Sequence, residues 1–178
     1  MAVFDATALL YFLEPDASAP LDPATGGPVQ DAKERIDFLI ETLEASGDTI
    51  VIPTPALSEV MVHADNAGTQ YLNILQGTRC FRVEPFDLRA AVELAAITRD
   101  AMAAGDLRAG TTATRAKLKF DRQIIAITRV QGQTTIYSDD GDIATLGAAL
   151  GIEVVPVHAL PRPPQDPQGN FEFGSENG

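Results

Sequence analysis

A chain of 178 residues of which 45% are hydrophobic is long enough to bury one sizeable core and short for two, so a single domain is expected. Its one cysteine, Cys80, excludes an internal disulfide, and the lack of a basic-then-apolar leader or a long apolar span points to a soluble cytoplasmic protein with no membrane partner. A formal net charge of -12 excludes a surface that attracts nucleic acid everywhere, so any phosphate-binding region has to be local.

In chain order, Ala2-Val3-Phe4 reads as a first strand, Asp5 as the turn after it, and Ala6 to Leu13 as a short apolar helix. A Pro/Gly-rich loop from about Glu14 to Pro28 follows, then a helix near Gln30 to Ala45 with Ile36, Phe38, Leu39, Ile40 and Leu43 around its buried stripe. The β-branched run Thr49-Ile50-Val51-Ile52 predicts a second, buried strand. Thr54 stands as the cap and Pro55 as the first position of the next helix, which carries Glu59 in its first turns. Asn66 to Gln76 predicts a helix packed by Tyr71, Leu72, Ile74 and Leu75. Cys80 to Val83 predicts a third strand, with Cys80 as a packing residue and not a nucleophile. Asp87 caps a long Ala-rich helix reaching about Ala104, broken by Gly105 to Gly110. Asp121 falls near the head of a helix over Phe120 to Ile127. The strand Thr134 to Tyr137, the turn Ser138-Asp139-Asp140-Gly141-Asp142, a helix from Ile143 to Leu150 and a last strand Glu153-Val154-Val155 complete the pattern. This alternation predicts a three-layer α/β/α domain over residues 1–158 with a central, mostly parallel sheet. Residues 159–178, rich in Pro, Gln, Gly and Asn, read as a tail without a core of its own. No internal repeat is present.

Asp5, Glu59, Asp121 and Asp140 each stand where an apolar stretch gives way to a turn or a helix, the edge at which an open parallel sheet gathers its ligands. Carboxylates clustered there repel one another and hold their protons tightly unless a cation neutralises them. Hard oxygen ligands without a Cys/His set suit Mg2+ or Mn2+, and His63 and His158 are too isolated for zinc and read as surface or packing residues. Asp142 either completes a second metal position or caps the helix beginning at Ile143. Thr7 and Ser138 carry hydroxyls beside acids, suited to hydrogen bonds that orient a ligand or to turns and caps. Arg108, Arg115, Lys117, Lys119 and Arg122 gather around the approach to Asp121, whereas Asp16, Asp22, Asp31, Glu34, Asp37, Glu41 and Glu44 crowd the amino-terminal third. The basic group is either a rim that guides phosphate to the metal site or a solvated helix face, with Arg122 meeting phosphate or pairing with a surface acid.

The motif Val3-Phe4-Asp5-Ala6-Thr7, the segment Pro53-Thr54-Pro55-Ala56-Leu57-Ser58-Glu59, the helix carrying Asp121 and the ending Ile136-Tyr137-Ser138-Asp139-Asp140-Gly141-Asp142 together resemble, in that order, the PIN-domain nucleases. The resemblance covers roughly residues 2 to 157 and is nearest in size and layout to the ribonuclease toxins of VapBC-type toxin–antitoxin pairs. It implies a PIN-like fold and Mg2+- or Mn2+-dependent endonucleolytic hydrolysis of RNA, with Asp5, Glu59, Asp121 and Asp140 as the catalytic metal-holding set. It also implies an outward-facing Asp139, a protein antitoxin whose carboxyl-terminal segment occupies the acidic groove, and a homodimer using the Asn66 to Gln76 region, while the clustered charge of Arg115, Lys117, Lys119 and Arg122 makes these the expected RNA contacts. A nuclease of RNA maturation or DNA processing stays open as an alternative, as does a silent PIN-like binding module, against which the complete acidic set argues. A haloacid-dehalogenase-type phosphatase would need a second aspartate where Thr7 stands.

Overall fold

The structure is a computed structural model and describes residues 1–108 and 110–164. Five short strands form one sheet in the order β3-β2-β1-β4-β5: β1 is Ala2–Phe4, β2 Ile50–Pro53, β3 Phe81–Glu84, β4 Thr135–Tyr137 and β5 Glu153–Val155. Every neighbouring pair is parallel, and β1 at the centre sets Val3 against Val51 on one side and Ile136 on the other. A wholly parallel sheet needs a crossover after each strand, which the helices α1 (Ala6–Leu13), α2 (Ala32–Ala45), α3 (Thr54–His63), α4 (Gly68–Gly77), α5 (Leu88–Ala103), α6 (Arg115–Val130) and α7 (Gly141–Ala149) provide.

Alternation along the strands divides the core in two. Val3, Val51 and Ile136 face the layer of α5, α6 and α7, packing with Ile97, Ile124, Ile127 and Leu146. Phe4, Ile50 and Ile52 face the opposite way, toward Leu9 and Leu13 of α1, Ile36 and Ile40 of α2 and Tyr71 of α4. Buried on both faces, β1 and β2 are apolar runs and not alternating ones, whereas the edge strand β3, Phe81-Arg82-Val83-Glu84, is partly exposed and carries charge. The three-layer α/β/α expectation is met.

Some boundaries differ from the sequence reading. Pro53, not Thr54, precedes α3, and Thr54 Oγ1 accepts the Phe86 N–H at 3.1 Å, so this hydroxyl ties α3 to the segment after β3. The helix bearing Asp121 starts five residues before Phe120, at Arg115, because Thr114 accepts the Lys117 N–H at 3.2 Å and caps it. Asp87 caps α5 as expected, through Ala90 N at 2.9 Å. The packed chain also continues past residue 158: Leu160 is buried beside Val157, and the Arg35 guanidinium donates to the carbonyls of His158 and Leu160. Most of the expected tail, residues 165–178, lies outside the described residues. Among the described residues no helix is long and apolar enough to cross a membrane.

Candidate active site

The connection from β1 leaves toward β2 on one side of the sheet, while β4 lies on the other side of β1. At such a reversal of strand order the loops diverge and leave a crevice beyond the carboxyl ends of the strands. Asp5 directly follows β1, and Ser138, Asp139 and Asp140 directly follow β4.

Two hydroxyls join these loops. Ser138 Oγ, buried at the end of β4, donates to Asp5 Oδ2 at 2.7 Å and accepts the Asp140 N–H at 3.0 Å. Thr7 Oγ1 accepts the Asp139 N–H at 3.0 Å and lies 3.3 Å from Ser138 Oγ and 3.4 Å from Asp5 Oδ2. Both side chains therefore orient carboxylates and also fix turns, so the two readings of them in the sequence coexist. Asp5 is 2% exposed, and its second oxygen, Oδ1, is buried without a hydrogen-bond partner. Burial raises its carboxyl above the usual range, with the Ser138 hydrogen bond pulling the other way and the Asp140 charge adding to the rise.

Asp140 is the residue that caps α7: its Oδ1 accepts the N–H groups of Asp142 at 2.8 Å and Ile143 at 3.3 Å. The helix begins at Gly141, so Asp142 is inside its first turn and is not its cap. Asp121 enters from the second turn of α6, 3% exposed. Burial pushes its carboxyl up to about 7; the nearby Lys117 ammonium opposes the rise, and the charges of Asp140 and Asp5 reinforce it. Glu59 reaches in, half-buried, from α3. Burial raises it first, then the charges of Asp5 and Asp140, against the lowering influence of Lys117 and His63. The carboxylates thus feel one another's fields, as a shared site requires.

Lys117 is the member whose contacts within the acid cluster sequence reasoning missed. It was grouped with the basic rim, yet its Nζ lies 2.8 Å from Asp142 Oδ2, 3.0 and 2.8 Å from the two oxygens of Asp140 and 3.3 Å from Asp121 Oδ2. Burial works against its charge, but hydrogen bonds to Asp140 and Asp142 and the charge of Asp121 outweigh that and raise it above the ordinary lysine value. The signal was present as spacing: Lys117 and Asp121 are four apart and share a helix face. Arg115, Lys119 and Arg122 project from a different side of α6 into a cleft of about 590 Å³, with Arg108, Leu107 and Leu118 also in its lining. Arg122 is not a surface residue: it is 7% exposed, donates to the Leu107 carbonyl at 2.6 Å and leaves its buried Nε unpartnered.

Asp139 also departs from expectation. Its Oδ1 accepts the Val157 N–H at 3.1 Å from the 3-10 turn after β5, turning the side chain inward, and burial raises its carboxyl. His63 is exposed on α3 and His158 is half-buried after β5.

Among the described residues no three His, Cys, Asp or Glu side chains stand as a ready-made metal cage. The donor set still fits a hard cation. It is all oxygen, Asp5 Oδ1 is orphaned, and burial, reinforced by the neighbouring carboxylates, makes Asp5, Glu59 and Asp121 hold their protons more tightly than usual.

No protein-family model matches the sequence, and no curated protein matches it either. Solved structures do. A chain of the VapBC2 complex of Rickettsia felis, bound to a DNA fragment from its promoter, matches 87% of this chain and 97% of its own at 11% identity and a TM-score of 0.57. A chain of DNA-bound VapBC from Salmonella typhimurium matches 88% and 97% at 14% identity and a TM-score of 0.56. A Mycobacterium tuberculosis VapC described as a sarcin-ricin loop cleaving toxin matches 90% and 100% at 16% identity and a TM-score of 0.52. At such identities the likeness is one of fold: the chain folds like these VapC-type proteins.

Proposed function

We propose that the protein is a metal-dependent endoribonuclease that hydrolyses RNA phosphodiester bonds and acts as the toxin of a type II toxin–antitoxin pair. The observation that carries this reading is the convergence of Asp5, Glu59, Asp121 and Asp140 on the crevice of a sheet whose fold is that of VapC-type proteins, one of them a sarcin-ricin loop cleaving toxin. These four residues, with Asp142 beside them, would hold Mg2+ or Mn2+ directly or through water. A bound divalent ion supplies charge that activates water and stabilises the phosphoryl oxygens during in-line displacement.

The remaining work falls to the chain itself. Ser138 and Thr7 fix the direction of the Asp5 carboxylate and lock the β1 and β4 loops together, so the acids keep their spacing. Because the carboxylates are ligands and not nucleophiles, no covalent intermediate with the protein forms. Arg115 and Lys119, exposed on another side of α6, offer the phosphate backbone local positive charge on an otherwise repelling protein, with the buried Arg122 lining the same cleft. The antitoxin's carboxyl-terminal segment would be basic, drawn to the same carboxylates and steered by the net charge of -12. A second copy of the chain is proposed to pair through the region of α4, where Leu72 and the nearby Val62 are exposed. The pair would act in the cytoplasm.

Purified protein freed of bound partners, incubated with a broad RNA panel, is expected to cleave in Mn2+ or Mg2+ and to stop on chelation. Asp140→Asn is the sharpest control, since asparagine keeps the capping preference for α7 while removing the charge. Cleavage undiminished in that variant would refute the assignment.

A further inference from the structure

The crevice contains a cation of its own. Lys117 Nζ touches three carboxylates at 2.8 to 3.3 Å, engaging both oxygens of Asp140. We propose that Lys117 is a tethered counter-cation: in the metal-free protein it holds Asp121, Asp140 and Asp142 together, and it competes with a divalent ion for their oxygens. This inference rests on the metal reading given above.

Three features support it. First, the oxygens that Lys117 contacts belong to three of the five acids proposed to hold the ion, Asp121, Asp140 and Asp142. An ion entering that side of the site meets the ammonium at bonding distance of the same atoms. Second, the ammonium is not locked in. Its side chain is 38% exposed and has four flexible methylenes, so it can swing out to solvent without disturbing α6. Third, the acids need it. Removing one cation from a partly buried cluster leaves like charges facing each other in a poorly screening environment. Half-buried Glu59 and the orphaned Oδ1 of Asp5 take no hydrogen bond from the ammonium and are left for an ion to engage first. Displaced by that ion, the Lys117 ammonium turns out to solvent at the mouth of the acid cluster, where its charge is free to meet a phosphate.

The test is Mn2+ calorimetry on metal-stripped wild type, Lys117→Met and Lys117→Arg. Losing a cation shared among three carboxylates predicts Mn2+ affinity on the order of tenfold tighter in Lys117→Met, with Lys117→Arg near wild type. Equal or weaker affinity in Lys117→Met, with binding still abolished by Asp140→Asn, overturns the competition alone. Absence of Mn2+ binding in every variant overturns the metal reading and the competition with it. A second readout needs no variant. Lysine Nζ resonances of the metal-free wild type are expected to include one slowly exchanging ammonium that moves to the exposed-lysine position on Mg2+ addition. No protected ammonium, or one unmoved at a Mg2+ concentration that saturates calorimetry, overturns the proposal.

Discussion

Replacing Asp121 with asparagine should make the metal-free protein more stable at alkaline pH, although it removes a member of the site. A carboxyl raised from 3.8 to about 7 binds its proton more tightly folded than unfolded. Between those values the folded protein keeps a proton that the unfolded chain has released, so stability falls as pH rises through the window and is flat above it. Asparagine does not titrate and escapes the fall. From about pH 5.5 to the folded value near 7 is roughly 1.5 units, and at about 1.4 kcal/mol per unit the wild type loses about 2 kcal/mol relative to Asp121→Asn. For a domain of this size that is about 4–8 °C in midpoint. The assay is thermal unfolding of both proteins in chelator at about pH 5.5 and about pH 8, followed by circular dichroism. The midpoint difference, variant minus wild type, is expected to grow by that amount at the higher pH. A difference that is constant, or that shrinks as pH rises, refutes the claim that burial and neighbouring carboxylates hold Asp121 protonated toward neutrality.

Ser138→Ala removes the 2.7 Å donor to a carboxylate that is 2% exposed and should cost about 1.5–3 kcal/mol in urea unfolding. Equal stability of variant and wild type would show that the hydroxyl does not hold Asp5. Gly147→Ala tests the packing of α7 on β5: an added Cβ would sit 2.9 Å from Val154 Cγ2 and 3.2 Å from the Ile152 carbonyl, so a loss of about 1–3 kcal/mol is expected in the same assay. A neutral effect would mean that α7 can shift freely, contrary to its role in presenting Asp140.

The central strands β1 and β2 were legible as short apolar runs, Asp5 because it follows such a run directly, and Asp140 because it stands in the turn between β4 and the next helix. Glu59 and Asp121 were legible from their helices, though the start of α6 was not. Thr114 is one capping-type residue among the threonines after Gly110, and Arg115, Lys117 and Lys119 alternate with apolar residues in a way that hides a helical face. The acid contacts of Lys117 were hidden for a related reason. One-dimensional proximity to Arg115, Lys119 and Arg122 suggested a common role, but 100° per residue sends it with Asp121 and sends the others into the neighbouring cleft. Asp139 was invisible because the N–H that turns it inward comes from Val157, beyond the last strand. No local pattern reports a partner supplied by tertiary structure.

The pairing of β1 with β4 also sets when the crevice comes into being. Val3 and Ile136 are neighbours in the sheet but lie at opposite ends of the domain's sequence, so closing that pair means closing a loop of most of the chain. A polypeptide emerging from the ribosome displays Asp5 early, Glu59 later and Asp121 later still, yet Asp5 lacks its Ser138 donor and an Asp140 neighbour until β4 docks. A fragment ended anywhere before β4 leaves one edge of β1 unpaired and holds an incomplete set of acids. Whatever reaction the assembled crevice performs is therefore withheld from unfinished chains by topology alone.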